Sequence, residues 1–167
     1  MATTEFYIDP ASASYPVTNP AAPVEFQGSN SPVRGHAFDA STRETIFLSF
    51  VILKYGSGDI DLDLLWYADV ATTGSVVWDV ALWAITPDAD TTDMEAKGFA
   101  TAQQVTDAHL GTTGQREHRA RVTITNLDGV QSGDKVTLRI ARDAPNGSDT
   151  MPGDAILTDH VLSYSDT

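Results

Sequence analysis

The chain has 167 residues, 41% of them hydrophobic, enough for one well-buried domain. Ten Lys and Arg stand against 23 Asp and Glu, and the resulting formal net charge of -13 repels nucleic-acid phosphates and anionic lipid headgroups, so binding to DNA, RNA or a membrane through bulk charge is not expected. The absence of cysteine excludes disulfides, cysteine-based zinc sites and thiol nucleophiles together.

The first residues, Met1 to Glu5, carry neither the basic nor the apolar part of a secretory signal, and no run approaches the length of a membrane span. Synthesis in the cytosol without ordinary export is therefore expected. Pro10, Pro16, Pro20, Pro23 and Pro32 follow among Ala, Ser, Thr and Asn. Each proline lacks a donor and biases its predecessor toward extended geometry, which excludes a helix or a central strand. This predicts an extended arm over residues 1–37 ahead of a single β-sandwich domain over 38–167. Phe6, Tyr7, Tyr15 and Phe26 are spaced along the arm and give it a reason to lie on its own domain or on a neighbouring subunit.

Strands are expected near 43–53, 60–68, 75–85, 98–106, 118–125, 135–142 and 155–164, punctuated by glycine-rich turns, with at most one helical turn within 88–97. In the first, Ile46, Leu48, Phe50 and Ile52 occupy one face and Phe47, Val51 and Leu53 the other, so both faces call for cover, from within the chain or from another copy. In the next two, Ile60, Leu62, Leu64 and Trp66, then Val76, Trp78, Val80 and Leu82, recur at every second position. A turn closing Asp69 against Ser75 would make these a hairpin with Trp66 opposite Trp78. The pattern as a whole predicts an all-β, antiparallel sandwich of jelly-roll or Greek-key type with an extended N-terminal arm.

Chemistry is sparse. Asp59, Asp61 and Asp63 alternate along a strand without the glycine and glutamate of an EF-hand loop, and read as a solvated face balanced by Arg119, Arg121, Lys135 or Arg139. The loop from Asp143 to Asp149, with Asp154, offers oxygen ligands but equally the composition of a long turn. His36, His109, His118 and His160 are scattered singly. No serine elbow or phosphate-cradling loop is present, so no catalytic residue, metal or cofactor is assigned and an enzyme is not expected. Tyr67 and Trp83 point away from the expected core and could stack on sugars or anchor a protein interface.

Several stretches resemble short β-sandwich proteins encoded by tailed bacteriophages: Phe38 to Glu44, Leu65 to Ala68 with Thr72 to Trp78, and Ser132 to Asp143, continuing to Asp149-Thr150-Met151 and Gly153-Asp154-Ala155. That resemblance implies a virion structural protein and transfers no catalytic residue. With the two-sided strand, the arm and the acidic charge, it leads to the expectation of a capsid decoration or cement protein on the outer head surface, made in the host cytoplasm. Its expected partners are the major capsid protein and two further copies of itself. The expected interface comprises Phe6, Tyr7, Tyr15, Phe26, Arg34, Phe47, Val51, Tyr67 and Trp83. The second reading is a carbohydrate-binding module or receptor-binding tail domain using Tyr67, Trp83 and nearby aspartates.

Overall fold

Strict alternation of apolar residues decides which side of each strand is buried, and the computed structural model, which describes residues 3–166, places ten strands on that basis. They are β1 (Thr3–Tyr7), β2 (Ala22–Gln27), β3 (Pro32–Phe38), β4 (Glu44–Val51), β5 (Ser57–Ala68), β6 (Ser75–Ile85), β7 (Gln103–Ala108), β8 (His118–Ile124), β9 (Lys135–Arg142) and β10 (Ala155–Ser165). One sheet has the order β2-β3-β10-β5-β8 with β1 also paired to β10, and the other has the order β4-β9-β6-β7. All strand pairings within the sheets are antiparallel, and the two sheets enclose one core, so the chain is a jelly-roll β-sandwich. Residues 88–97 form turns and no helix.

The expected β5–β6 hairpin does not form. The inward residues are correctly identified, but β5 pairs with β10 and β8 while β6 pairs with β9 and β7. Periodicity reports a face and is silent on the neighbour. Trp66 and Trp78 meet instead across the core, with ring centroids 6.3 Å apart. Residues 69–74 cross between sheets because the 150–154 segment holds them at both ends. Asp69 N donates to Asp154 O at 3.0 Å, and Ser75 O accepts from Thr150 N at 2.8 Å. Gly74, at φ 97°, passes so near Met151 that a Cβ would lie 2.6 Å from its Cα.

The proline-rich stretch is extended as expected and lies on its own domain, where it supplies three strands. β1 lies along β10 with Phe6 opposite Leu162, and β2 and β3 form the hairpin that ends the larger sheet. Between β1 and β2 the chain runs beside the free edge of β4, with Ser14 N and Phe47 O, and Phe47 N and Ser14 O, each 2.9 Å apart. The edge of the smaller sheet is thereby covered. Pro23 sits on the edge strand β2 and Pro32 is the first residue of β3, both strand positions that proline tolerates. Phe38, expected to open the second segment, is the last residue of β3, and the outer ends of both expected segments, Met1, Ala2 and Thr167, lie outside the described residues.

Cover for the two-sided strand β4 comes largely from within the chain. Phe50 meets Phe6 at 5.3 Å, and Phe47 stacks on Phe99 of the long β6–β7 connection at 5.7 Å. Val51 and Leu53 stay exposed.

At the end of β9, Arg142 is fully buried and all its donors are engaged. Nε and one Nη grip Asp149 at 3.0 and 2.8 Å, and the carbonyls of Phe38, Met151 and Gly153 accept at 3.2, 2.8 and 2.8 Å. Removing one member of such a pair strands a charge in the core. Arg142→Ala is expected to lower stability by about 3–5 kcal/mol in urea unfolding. The double variant Arg142→Met/Asp149→Leu, which removes both charges, is expected to lose less.

Candidate functional site

A groove of about 550 Å³ opens at the edge of the larger sheet, where β10 loses its neighbour. β3 pairs with β10 as far as Leu157, and β1 takes up the same side from Val161. Between them, Thr158, Asp159 and His160 have no strand partner on that side, and a β-bulge displaces β10 between Leu157 and Asp159. Gly35 makes the departure of β3 feasible, since a Cβ there would lie 2.5 Å from Leu157 O. A short 3-10 turn, Pro10–Ser12, forms the opposite wall, capped by Asp9, whose Oδ1 accepts from Ala11 N at 2.9 Å.

Two tyrosines flank the opening. Tyr7 at the end of β1 is 56% exposed, and its hydroxyl donates to Asp159 Oδ1 at 3.0 Å. Tyr15 is 42% exposed, with its hydroxyl 2.9 Å from His36 Nε2 and its ring 5.8 Å from the imidazole. Arg34 reaches the groove from β3 and is ion-paired to Glu25 on β2, which holds the Glu25 carboxyl below its usual range. His36 lines the groove wall and is buried, and its Nδ1 has no partner among the described residues. His160 lies inside the sandwich at 1% exposure with neither ring nitrogen bonded.

The structure brings Tyr7, Tyr15 and Arg34 together from the nine residues expected to form an interface, and separates the rest. Phe6 packs on Phe50 inside the sandwich. Phe47 lies under Phe99, and Val51 is at the far end of β4 beside Ser49 and Lys135. Tyr67 and Trp83 do face outward from the inter-sheet core, but each is only 8% exposed. Tyr67 is met edge-on by Phe26 at 6.5 Å, and neither offers a free face for stacking.

Sequence reasoning missed Asp9, His36, Thr158 and Asp159, which come from the two ends of the chain and share no spacing. The scattered histidines form two pairs. Burial lowers His36 and pushes His160 down to about 4, with His36 adding to the shift. His109 and His118 lie 4.4 Å apart with their rings tilted, and His118 stacks at 4.6 Å on Trp66, whose Nε1 donates to Asp107 at 2.8 Å. Among the described residues, no group of three His, Cys, Asp or Glu side chains is placed to hold a metal ion. The oxygen-rich loop after β9 is structural, because Asp149 is taken by Arg142 and Val77 N and Asp143 by Arg43 and Asn146. Asp63 is gripped by Arg121 through two bonds of 2.7 Å and by Arg119 at 3.7 Å, as a balanced outer face requires, whereas Lys135 and Arg139 belong to the other sheet.

No family model and no curated protein matches the chain. Solved structures do. A carbohydrate-binding module of the CBM28 type, specific for non-crystalline cellulose, is 11% identical over 89% of this chain and 86% of its own, with a TM-score of 0.53. The K1 cleaved adhesin domain of Lys-gingipain from Porphyromonas gingivalis W83 is 13% identical over 99% of both chains, also at 0.53. An isomalto-dextranase of Arthrobacter globiformis T6, complexed with panose, matches at 16% identity and 0.50 over 99% of this chain and 23% of its own. At these identities the likeness establishes the fold, a jelly-roll sandwich.

The expectation of a capsid decoration protein is corrected on two counts. The similar solved structures named above include a carbohydrate-binding module and an adhesin domain, and none of those named is a particle protein. The arm that was to grip a neighbour is built into the chain's own sheets.

The buried histidines make stability depend on pH. His160 takes a proton near pH 6.5 when unfolded and only near 4 when folded, so the unfolded chain binds more protons as pH falls between these values. Stability is therefore full above about pH 6.5 and declines toward pH 4, by on the order of 3 kcal/mol from this residue. Carboxylates held below their usual range, such as Asp63, act only at lower pH. Urea unfolding at pH 7.5 and 5 is expected to show the loss, and His160→Leu to flatten it.

Proposed function

We propose that this chain is a carbohydrate-binding domain that holds a glycan in the groove between β1, β3 and β10. The observation that carries the reading is the convergence, on one opening of about 550 Å³, of two part-exposed tyrosines with the carboxylates of Asp9 and Asp159. A sugar ring presents apolar C–H faces and a rim of hydroxyls. Tyrosine rings cover the first, while carboxylates bond the second. Carbohydrate-binding modules use a sandwich of this kind, and the similarity to one of them supports the reading. The domain binds in this account and performs no bond cleavage. Tyr67 and Trp83 do not serve as the sugar platform, because both rings are covered.

Affinity electrophoresis in gels containing hydroxyethylcellulose, xylan, laminarin or dextran tests the proposal. At least one polysaccharide is expected to retard the chain. Tyr15→Ala and Tyr7→Ala are each expected to weaken that binding about tenfold or more, as loss of a buried aromatic contact does. Trp83→Ala lowers stability instead, by about 3–5 kcal/mol, and leaves the retardation in place. Absence of retardation by every polysaccharide, or tyrosine variants that bind like the parent, would overturn the reading.

A further inference from the structure

We infer that the groove sorts glycans by charge, accepting neutral and amino-bearing sugars and rejecting those that carry uronate or sulfate groups. This inference rests on the glycan-binding reading above and deepens it. Arg34, the cation among the described lining residues, is ion-paired through Nε to Glu25 on the neighbouring strand, so its positive charge is offset by an adjacent carboxylate while Asp9 and Asp159 add two further negative charges. Asp9 and Asp159 each commit one oxygen to the protein, Asp9 to Ala11 N and Asp159 to the Tyr7 hydroxyl, and the second oxygen of each has no hydrogen-bond partner among the described residues. These oxygens accept hydrogen bonds from hydroxyl or ammonium groups and repel a carboxylate or sulfate.

His36 is the independent sign that the groove is built for a polar, uncharged rim. It is 3% exposed, it lines the groove, and with Nε2 facing Tyr15 Oη its Nδ1 is left without a partner among the described residues. That nitrogen is sealed from the groove, and the imidazole meets the opening through Nε2 and the Tyr15 hydroxyl, a neutral polar pair that offers no cationic donor to a ligand. Burial also keeps this imidazole neutral at neutral pH, so it supplies no positive charge to an anionic ligand. The chain's net charge of -13 adds a repulsive field for an approaching polyanion.

Matched probes separate charge from shape. The full chain is titrated calorimetrically at pH 7 and low salt with cellohexaose and laminarihexaose, with each of these oxidised at C6 to the uronate, and with chitosan hexaose. A neutral hexasaccharide is expected to bind about tenfold or more tightly than its oxidised form, and chitosan hexaose at least as tightly as cellohexaose. The neutral-to-uronate ratio is expected to shrink at about 0.5 M salt, where charges are screened over a few ångströms. It is also expected to shrink in Asp159→Asn and Asp9→Asn, which keep an acceptor oxygen and remove the charge, with unfolding midpoints reporting whether each variant is folded. Equal or tighter binding of an oxidised form, or a ratio untouched by both variants, overturns charge selection and leaves glycan binding standing. If neither the hexasaccharides nor the polysaccharides bind at all, the functional reading fails and this inference falls with it.

Discussion

The grip of Arg142 on Asp149 sets the geometry on which the site depends. The guanidinium is buried where β9 ends, and it bonds the carbonyls of Phe38, Met151 and Gly153 as well as the carboxylate. Those carbonyls belong to the end of β3 and to the segment that leads into β10. The first register pair of these strands is Phe38 with Ala155. One planar cation with donors in a fixed fork therefore aligns two strands from opposite ends of the chain. Asp149 also accepts from Val77 N, which ties the same knot to β6 in the other sheet. From this anchored start β3 follows β10 for three residue pairs and then departs, and the departure creates the groove.

The departure has a local cause that chemistry makes visible. A β-bulge in β10 between Leu157 and Asp159 shifts the strand's exposed edge, and Gly35 lets β3 pass close to Leu157 O as it leaves. The two devices together interrupt the sheet edge for three residues without breaking the core, because the inner side chains on either side, Leu157 and Leu162, remain buried. Two buried histidines stand behind the interruption. Apolar residues there would pack without unpaired nitrogens. His36 lines the groove and His160 lies inside the sandwich behind it, and their nitrogens without a partner among the described residues mark a place where the fold departs from its own packing rules.

Much of the sandwich was legible because half-buried strands alternate. The runs around Ile60 to Trp66 and Val76 to Leu82 identified their inner faces without error, since every one of those residues is buried. Pairing was not legible, because alternation is satisfied equally by a hairpin and by two strands that face each other from opposite sheets. The N-terminal strands were hidden by their prolines. Those prolines exclude a central strand and permit an edge one, and the sequence offered no way to see that an edge stood vacant on β4 and β10. Outward-pointing Tyr67 and Trp83 were assigned to the correct face and the wrong environment, because Phe26 and the β6–β7 connection that carries Phe99 lie over the outer faces.

The site itself was half legible for a related reason. Tyr7, Tyr15 and Arg34 stood out as aromatic and charged residues on an otherwise bland stretch, as candidates for an interface, and all three line the groove. Their partners Asp159 and Thr158 sit more than a hundred residues away, on a strand whose bulge leaves no mark on periodicity. A polar site built at the meeting of the two chain ends also links occupancy to the fold, since its walls are β1, the β2–β3 hairpin and β10. A ligand spanning Tyr7, His36 and Asp159 would bridge the three residues of β10 that no strand covers. It would hold β1 and β3 to the same strand from both sides of the gap, so binding and the ordering of the N-terminal strands draw on the same contacts.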